Sequence, residues 1–367
     1  MNPLDELSLN PRLDITLALQ LKQQITWMIA SGKLKPGDQL PPVKALAARL
    51  GINLHTVRGA YLKLAAEGLL ETRQGRGTHV LPFDPASLAQ ISGAARSHTV
   101  GVIVPSWTNP FYHGLLTGIE EIAEEDGTLF FLCNSHDDQA TAWRGFARLA
   151  AKQVDGILVV SQAACPDPPP LPVVSVDWPA CAGYGVQIDL QQAGCLAVQH
   201  LVEHGHRRIG LITFAVEAEN VTPVNRGYQQ ALAEHGLPID PALIARVPGF
   251  DMLSGAQGAR KLLSLPEPPT AIFAIADLLA LGALQACKQA RLRVPEDLAL
   301  IGLDDVPAAA LVSPSLTTVA APAVQAGREA MRMLQFLIAG EQPPQREMLL
   351  STTLVVRESC GCPRKEG

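Results

Sequence analysis

"NLHTVRGAY" (residues 53–61) and "TRQGRGTHV" (residues 72–80) decide how the start of the chain is read. The first opens on Asn53, whose side chain is suited to accept a backbone N–H in the first turn of a helix. Within that helix Val57, Tyr61 and Leu64 share one face and point to a core, while His55, Thr56 and Arg58 lie away from it near the helix start. Gly68 ends the helix. The second stretch gives two short strands around Gln74, Gly75, Arg76 and Gly77. Upstream, Leu17, Leu21, Ile25, Met28 and Ile29 recur at helical spacing until Gly32. "KPGDQLPP" (35–42) is turn chemistry, and "VKALAARLG" (43–51) is a short helix closed by Gly51.

A short helix, a tight turn and a second helix that starts with polar residues make a helix-turn-helix. The second helix fits the DNA major groove, which is wide enough to admit it and displays a readable pattern of donors and acceptors. The hairpin behind it is a wing. Arg73 and Arg76 are placed to reach phosphate or the minor groove, and the glycines allow close backbone approach. The charge distribution agrees. The net charge of the 367 residues is −6, yet residues 1–80 carry ten Lys and Arg against six Asp and Glu. The other 287 residues carry 19 against 29, so a basic head stands on an acidic body.

The run "KLKPGDQLPPVKALAARLGINLHTVRGAYLKLAAEGLLETRQGRGTHV" (33–80) resembles the winged-helix domain of the GntR family of bacterial repressors, over roughly residues 12–81. The resemblance implies DNA contacts from Lys44, Asn53, His55, Thr56, Arg58, Gln74, Gly75 and Arg76. Two positions depart from common forms: Leu54 stands where a basic residue is frequent, and Lys44 where arginine is common. The operator sequence is therefore this chain's own.

Residues 1–81 are read as this winged helix and residues 82–97, poor in periodicity and rich in small side chains, as a linker. From residue 98 to 362 apolar strands alternate with amphipathic helices. The strands are "TVGVIVP" (99–105), "LFFLCNS" (129–135), "DGILVVS" (155–161), "VVSVDW" (173–178), "RIGLITF" (208–214), "AIFAIAD" (271–277) and "LALIGLDD" (298–305). Short, β-branched, nearly all-apolar strands are those of a parallel sheet buried on both faces, so the body is doubly wound α/β. The polar and aromatic residues gather just past the strand ends: Trp107, Asn109, Phe111, Asn134, Asp137, Ser161, Asp177, Trp178, Asp277, Asp304 and Asp305. Ligands of such sheets bind outside the carboxyl ends of the strands. Any single aspartate there reads first as a helix cap or loop residue, but the set favours a pocket. Aromatic faces, several acceptors and Arg226 suit a sugar.

"VGVIVPSWTNPFYHGLLTGIEEIAEEDG" (100–127), "HLVEHGHRRIGLI" (200–212), "NRGYQQALAEHGL" (225–237), "LRVPEDLALIGLDDV" (292–306) and "LLSTTLVVRES" (349–359) resemble the effector domain of LacI/GalR-type regulators. That resemblance implies a periplasmic-binding-protein-like fold, two α/β lobes joined by three crossovers around a cleft. It places residues 98–187 and 305–319 in lobe one and residues 188–304 and 320–362 in lobe two. It implies ligand-facing roles for Trp107, Phe111, Asn134, Asp177, Arg226, Phe250, Asp277 and Asp304. Ala276 and Leu190 stand where asparagine is common.

Other chemistries find less support. His200 and His204 stand at the i,i+4 spacing of a metal pair, without an obvious third ligand. "CGC" (360–362) lacks further Cys or His partners, and the seven scattered cysteines read as reduced thiols. There is no Walker or GxGxxG motif and no nucleophile–base set, and the residues require no cofactor or metal. No basic stretch followed by an apolar one marks a secretory signal, and no apolar run spans a bilayer, so a cytoplasmic protein is expected. The reading is a ligand-responsive transcriptional repressor, a homodimer on a near-palindromic operator, with a small carbohydrate as effector. The alternatives are a solute-binding protein and a sugar-processing enzyme. The first conflicts with the attached winged helix and the second with the missing catalytic set.

Overall fold

The computed structural model describes residues 4, 7, 9, 16–30, 33–73, 77–82, 97–136, 138–160, 171–177, 183–215 and 223–361. The expected linker therefore lies almost wholly outside the described residues, as do Asp137, Cys165, Cys181 and Cys362. The elements run α1 (Leu17–Ala30), β1 (Gln39–Leu40), α2 (Val43–Leu50), α3 (Leu54–Ala66), β2 (Leu70–Arg73) and β3 (Gly77–Val80). Two short antiparallel pairings make the sheet β1-β3-β2, with Leu40 opposite Thr78 and Leu70 opposite Val80.

Each break in the head has a local cause. Gly51 ends α2 at φ 64°, a conformation costly for a side chain, and its N–H turns back to the Ala47 and Ala48 carbonyls. Asn53 then caps α3, its side chain accepting the His55 N–H at 2.8 Å. The apolar stripe buries Leu21, Ile25, Met28 and Ile29 of α1 against Leu46, Val57, Ala60, Tyr61 and Leu64. Tyr61 keeps its hydroxyl satisfied by donating to the Pro41 carbonyl at 2.9 Å, and burial pushes its phenol up.

The body continues β4 (Thr99–Val104), α4 (Pro110–Glu125), β5 (Leu129–Asn134), α5 (Gln139–Ala151), β6 (Gly156–Val159), β7 (Val173–Val176), β8 (Gly185–Ile188), α6 (Leu190–Glu203) and β9 (Ile209–Phe214). After these come α7 (Pro223–Glu234), β10 (Ile244–Val247), α8 (Met252–Leu263), β11 (Ala271–Ala274), α9 (Asp277–Gln289), β12 (Ala299–Asp304), α10 (Pro307–Leu311) and β13 (Thr317–Ala320). The last elements are α11 (Ala323–Ala339), β14 (Glu347–Leu350) and β15 (Thr353–Val355). Two six-stranded sheets form, β14-β8-β7-β6-β4-β5 and β10-β9-β11-β12-β13-β15. The pairs β4–β5, β4–β6, β6–β7, β9–β10, β9–β11, β11–β12 and β12–β13 are parallel, and β15 joins β13 antiparallel. β6, β7 and β11 are buried at every position, as strands covered by helices on both faces must be.

The strand pairing departs from the expected lobe boundaries. Residues 305–319 were expected with the first sheet, but β13 pairs with β12 in the second. Only α10, five residues long, separates these strands, and so short a crossover keeps parallel neighbours in one sheet. Residues 320–362 are likewise divided, β14 entering the first sheet and β15 the second.

Two helix pairs of the body meet through glycines. A Cβ on Gly194 of α6 would lie 2.3 Å from the Val224 carbonyl oxygen, and one on Gly227 of α7 would lie 2.1 Å from that of Gln191. The α8–α9 pair repeats the device, with Gly255 against the Leu279 oxygen (2.1 Å) and Gly282 against that of Met252 (2.0 Å). In each case the glycine faces the carbonyl three residues before the partner glycine. Backbone packs directly on backbone at these crossings. Among the described residues no helix is long and apolar enough to cross a membrane.

Candidate functional site

The polar positions of the head fall on one side of α3. Asn53, His55 and Arg58 are exposed, Thr56 is half-buried, and Val57, Ala60 and Tyr61 point inward. Lys44 is exposed on α2. Asn53 uses its side-chain oxygen for the cap, which leaves its amide N–H groups as outward donors. Leu54 is half-buried and packs on the core of the head, so an apolar residue there has its own structural use. Arg73 is exposed and paired with Glu71 at 2.9 Å. So exposed a pair is worth little and does not lock the arginine away from another anion. Gln74, Gly75 and Arg76 lie outside the described residues.

In the body Asn134, Asp177 and Asp304 stand where strands end, while Phe111, Arg226 and Asp277 lie in the first turns of helices. Seven described non-glycine residues have positive φ, and four of them follow parallel strands: His136 (53°) after β5, Asp177 (59°) after β7, Asp304 (120°) and Asp305 (61°) at the end of β12. Such conformations are unfavourable for residues with a Cβ and concentrate where function requires a particular side-chain direction. Asn134 spends its side-chain oxygen on the His136 N–H at 3.0 Å, and Asn109 spends its own on the Phe111 N–H at 3.0 Å, opening α4. Burial pushes the carboxyl of half-buried Asp177 up to about 7.

The aromatic residues divide. Trp107 is 50% exposed before α4, whereas Phe111 is only 8% exposed and lies edge-on to Tyr112 at 5.2 Å. Phe250 is partly exposed and stacks on Phe214, the last residue of β9, at 4.8 Å. Arg226 is exposed in the first turn of α7. Ser161 and Trp178 lie outside the described residues.

Asp277 differs from the expectation of an open, ligand-facing carboxylate. It is 0% exposed, accepts the Thr318 hydroxyl at 2.6 Å and the Val306 N–H at 2.9 Å, and crowds against Gly302. Burial pushes its carboxyl up to about 7 against the opposing pull of those two hydrogen bonds. The apolar run reads as a strand through Asp277, but β11 ends at Ala274 and Asp277 opens α9 instead. The fold of β12 and β13 over it, which involves contacts some 30 to 40 residues away, is what seals it. Thr318 and Arg357, which complete this cluster, were not among the expected site residues.

Both histidines of the i,i+4 pair have other near neighbours. His204 Nδ1 lies 2.7 Å from its own helix carbonyl at His200, and His200 Nε2 lies 3.4 Å from Cys360 Sγ. No group of three or more His, Cys, Asp or Glu suited to a metal occurs among the described residues.

Comparisons with known proteins follow the same division. Residues 17–80 match the bacterial regulatory proteins of the gntR family, and residues 198–360 match the periplasmic binding protein-like domain. The chain is 33% identical over 289 residues to the ribose operon repressor of Escherichia coli K12, covering 76% of this chain and 87% of that protein. It is 35% identical over 338 residues to the HTH-type transcriptional repressor CytR of the same strain, covering 89% of this chain and 98% of that protein. Among solved structures it resembles a LacI family transcriptional regulator from Enterococcus faecium with bound ribose, at a TM-score of 0.64 and 28% identity, covering 72% of this chain and 100% of that one. These relatives are transcriptional regulators and not enzymes.

Proposed function

Because the chain belongs to the LacI-type transcriptional repressors and carries a GntR-type helix-turn-helix at its start, we propose that it is a cytoplasmic, carbohydrate-responsive repressor acting as a homodimer. α3 enters the major groove and presents His55, Thr56 and Arg58 to the bases, with Asn53 and Lys44 beside them and Arg73, Gln74, Gly75 and Arg76 on the wing. Two heads are needed, since a single winged helix buries too little surface for tight specific binding and a two-fold dimer reads two half-sites.

A small carbohydrate binds at the carboxyl ends of the parallel strands. The observation that supports this reading most directly is a left-handed polar residue at a strand end in each sheet, Asp177 after β7 and Asp304 at the end of β12; Trp107 and Phe250 offer exposed apolar ring faces. Arg226, Asn109, Asn134, Ser161 and Trp178 are further candidate contacts to the sugar. An acid held near pH 7, like Asp177, serves a hydroxyl as either acceptor or donor. Phe111, mostly buried, joins these candidates. Ligand changes operator affinity only if it binds the DNA-competent and DNA-incompetent states differently, and release on binding is the sign proposed here.

The test is selection of operator DNA from a random pool with full-length protein, followed by mobility shift against pentoses, hexoses and disaccharides. Release by one of them is expected. Operator binding that no sugar alters would refute the carbohydrate reading and leave the DNA reading standing. A body that turned over the sugar would revive the enzyme alternative.

A further inference from the structure

The turn after β12 holds two successive non-glycine residues in left-handed backbone conformations, Asp304 at φ 120° and Asp305 at φ 61°. Residues in such conformations persist only where their surroundings over-determine them. Here three side chains do so from three separate elements. Thr318 on β13 accepts the Asp305 N–H at 3.4 Å and donates its hydroxyl to Asp277 at 2.6 Å. Asp277, the first residue of α9, accepts the Val306 N–H at 2.9 Å on the far side of the turn. Arg357, just past β15, donates to the Asp305 carboxylate at 2.6 Å and to the Leu316 carbonyl at 2.8 Å. The clamp leaves no slack: a Cβ on Gly302 would sit 2.1 Å from the Asp277 oxygen.

We infer that Asp277, Thr318 and Arg357 form a clamp that fixes the strained turn and thereby aims Asp304 at the effector, with Asp277 acting through the turn and not by touching ligand. This rests on the proposal that the effector binds at the strand carboxyl ends. The geometry supports it because both Asp277 oxygens are engaged and the residue is wholly buried. The neighbouring Asp304 is half-buried at the strand tip. Arg357 and Thr318 thus become positioning residues for recognition.

The test uses full-length protein, amide hydrogen exchange over residues 304–309 and calorimetric titration with D-ribose. Thr318→Val keeps the side-chain shape and removes both hydrogen bonds. It should raise exchange at residues 305 and 306 by about tenfold or more, and weaken D-ribose binding by a similar factor, with unfolding still cooperative. Thr318→Ser should restore both. Arg357→Lys keeps the charge but reaches one partner only, and should move both readouts the same way if Thr318→Val fails to fold. Asp304→Asn should weaken binding and leave exchange unchanged. Unchanged exchange in Thr318→Val and Arg357→Lys would overturn the clamp, as would raised exchange with unaltered binding. Wild-type protein that ignores D-ribose would count against the effector reading, and the exchange measurement would then decide the clamp by itself.

Discussion

Replacing Gly227 with alanine puts one methyl group into the α6–α7 crossing. It would stand 2.1 Å from the Gln191 carbonyl oxygen and 2.8 Å from the Cys195 nitrogen. Both are helix backbone atoms, so no rotamer change relieves the clash. An ordinary C···O contact needs about 3.3 Å or more, so the helices must part by roughly 1 Å. A gap of that size forfeits a quarter to a half of the dispersion energy of each contact it opens. The contacts at risk belong to buried Ala193, Ala197, Val224 and Tyr228. Overpacking of this kind costs about 1–3 kcal/mol and cavity formation adds to it, while alanine's better helix propensity returns about 1 kcal/mol. A net loss of about 2 kcal/mol should lower the melting temperature of the body by roughly 4–8 °C in scanning calorimetry. Gly59→Ala is the matched control. It lies within α3 with nothing within 4 Å of its would-be Cβ, so only the propensity gain remains and the head should hold or rise in stability. Gly194→Ala combined with Gly227→Ala should cost less than the sum, because one separation serves both methyl groups. If Gly227→Ala were as stable as wild type, the close backbone contact between α6 and α7 would be wrong. The change also shifts Arg226, one residue away, so effector affinity should fall with stability.

Arg58→Ala should weaken operator binding by roughly tenfold to a hundredfold and leave sugar-induced stabilisation intact, as read by mobility shift and thermal shift; loss of both would refute its assignment to DNA. Lys44→Ala should weaken binding almost uniformly across DNA sequences and reduce the salt slope by about 1 if it meets a phosphate. Asn53→Ala removes the cap of α3 and should cost about 1 kcal/mol of head stability in denaturant titration, with no change meaning that the cap is dispensable. For Asp277 the folded carboxyl is raised to about 7 against about 3.9 in the unfolded chain, so the folded state binds the proton more tightly. Its contribution is complete below the unfolded value and is lost as pH rises through about 7. Wild type should therefore lose stability relative to Asp277→Asn between pH 5 and 7, and parallel pH profiles would contradict the raised value.

Much of the architecture could be read along the chain because its causes are local. Asn53, Gly51 and the Val57–Tyr61–Leu64 face depend on neighbours within a turn or two, and α2, α3 and the wing strands formed where those signals stood. The all-apolar runs announced buried parallel strands for the same reason: an isolated segment already shows which faces it must hide. The sequence also determined that polar residues such as Asp177 and Asp304 would stand at strand ends. Tertiary structure alone decided which sheet takes β13 and which takes β14, because apolar strands carry no address and the partner is chosen by crossover length and packing. It alone decided that Asp277 is sealed while Trp107 stays open, since burial is set by residues such as Val306 and Thr318 that lie far away in sequence. Arg357 is the sharpest case. The stretch around it resembles the family but gave it no site role, which it acquires only when β15 folds beside β13 and brings its guanidinium to Asp305.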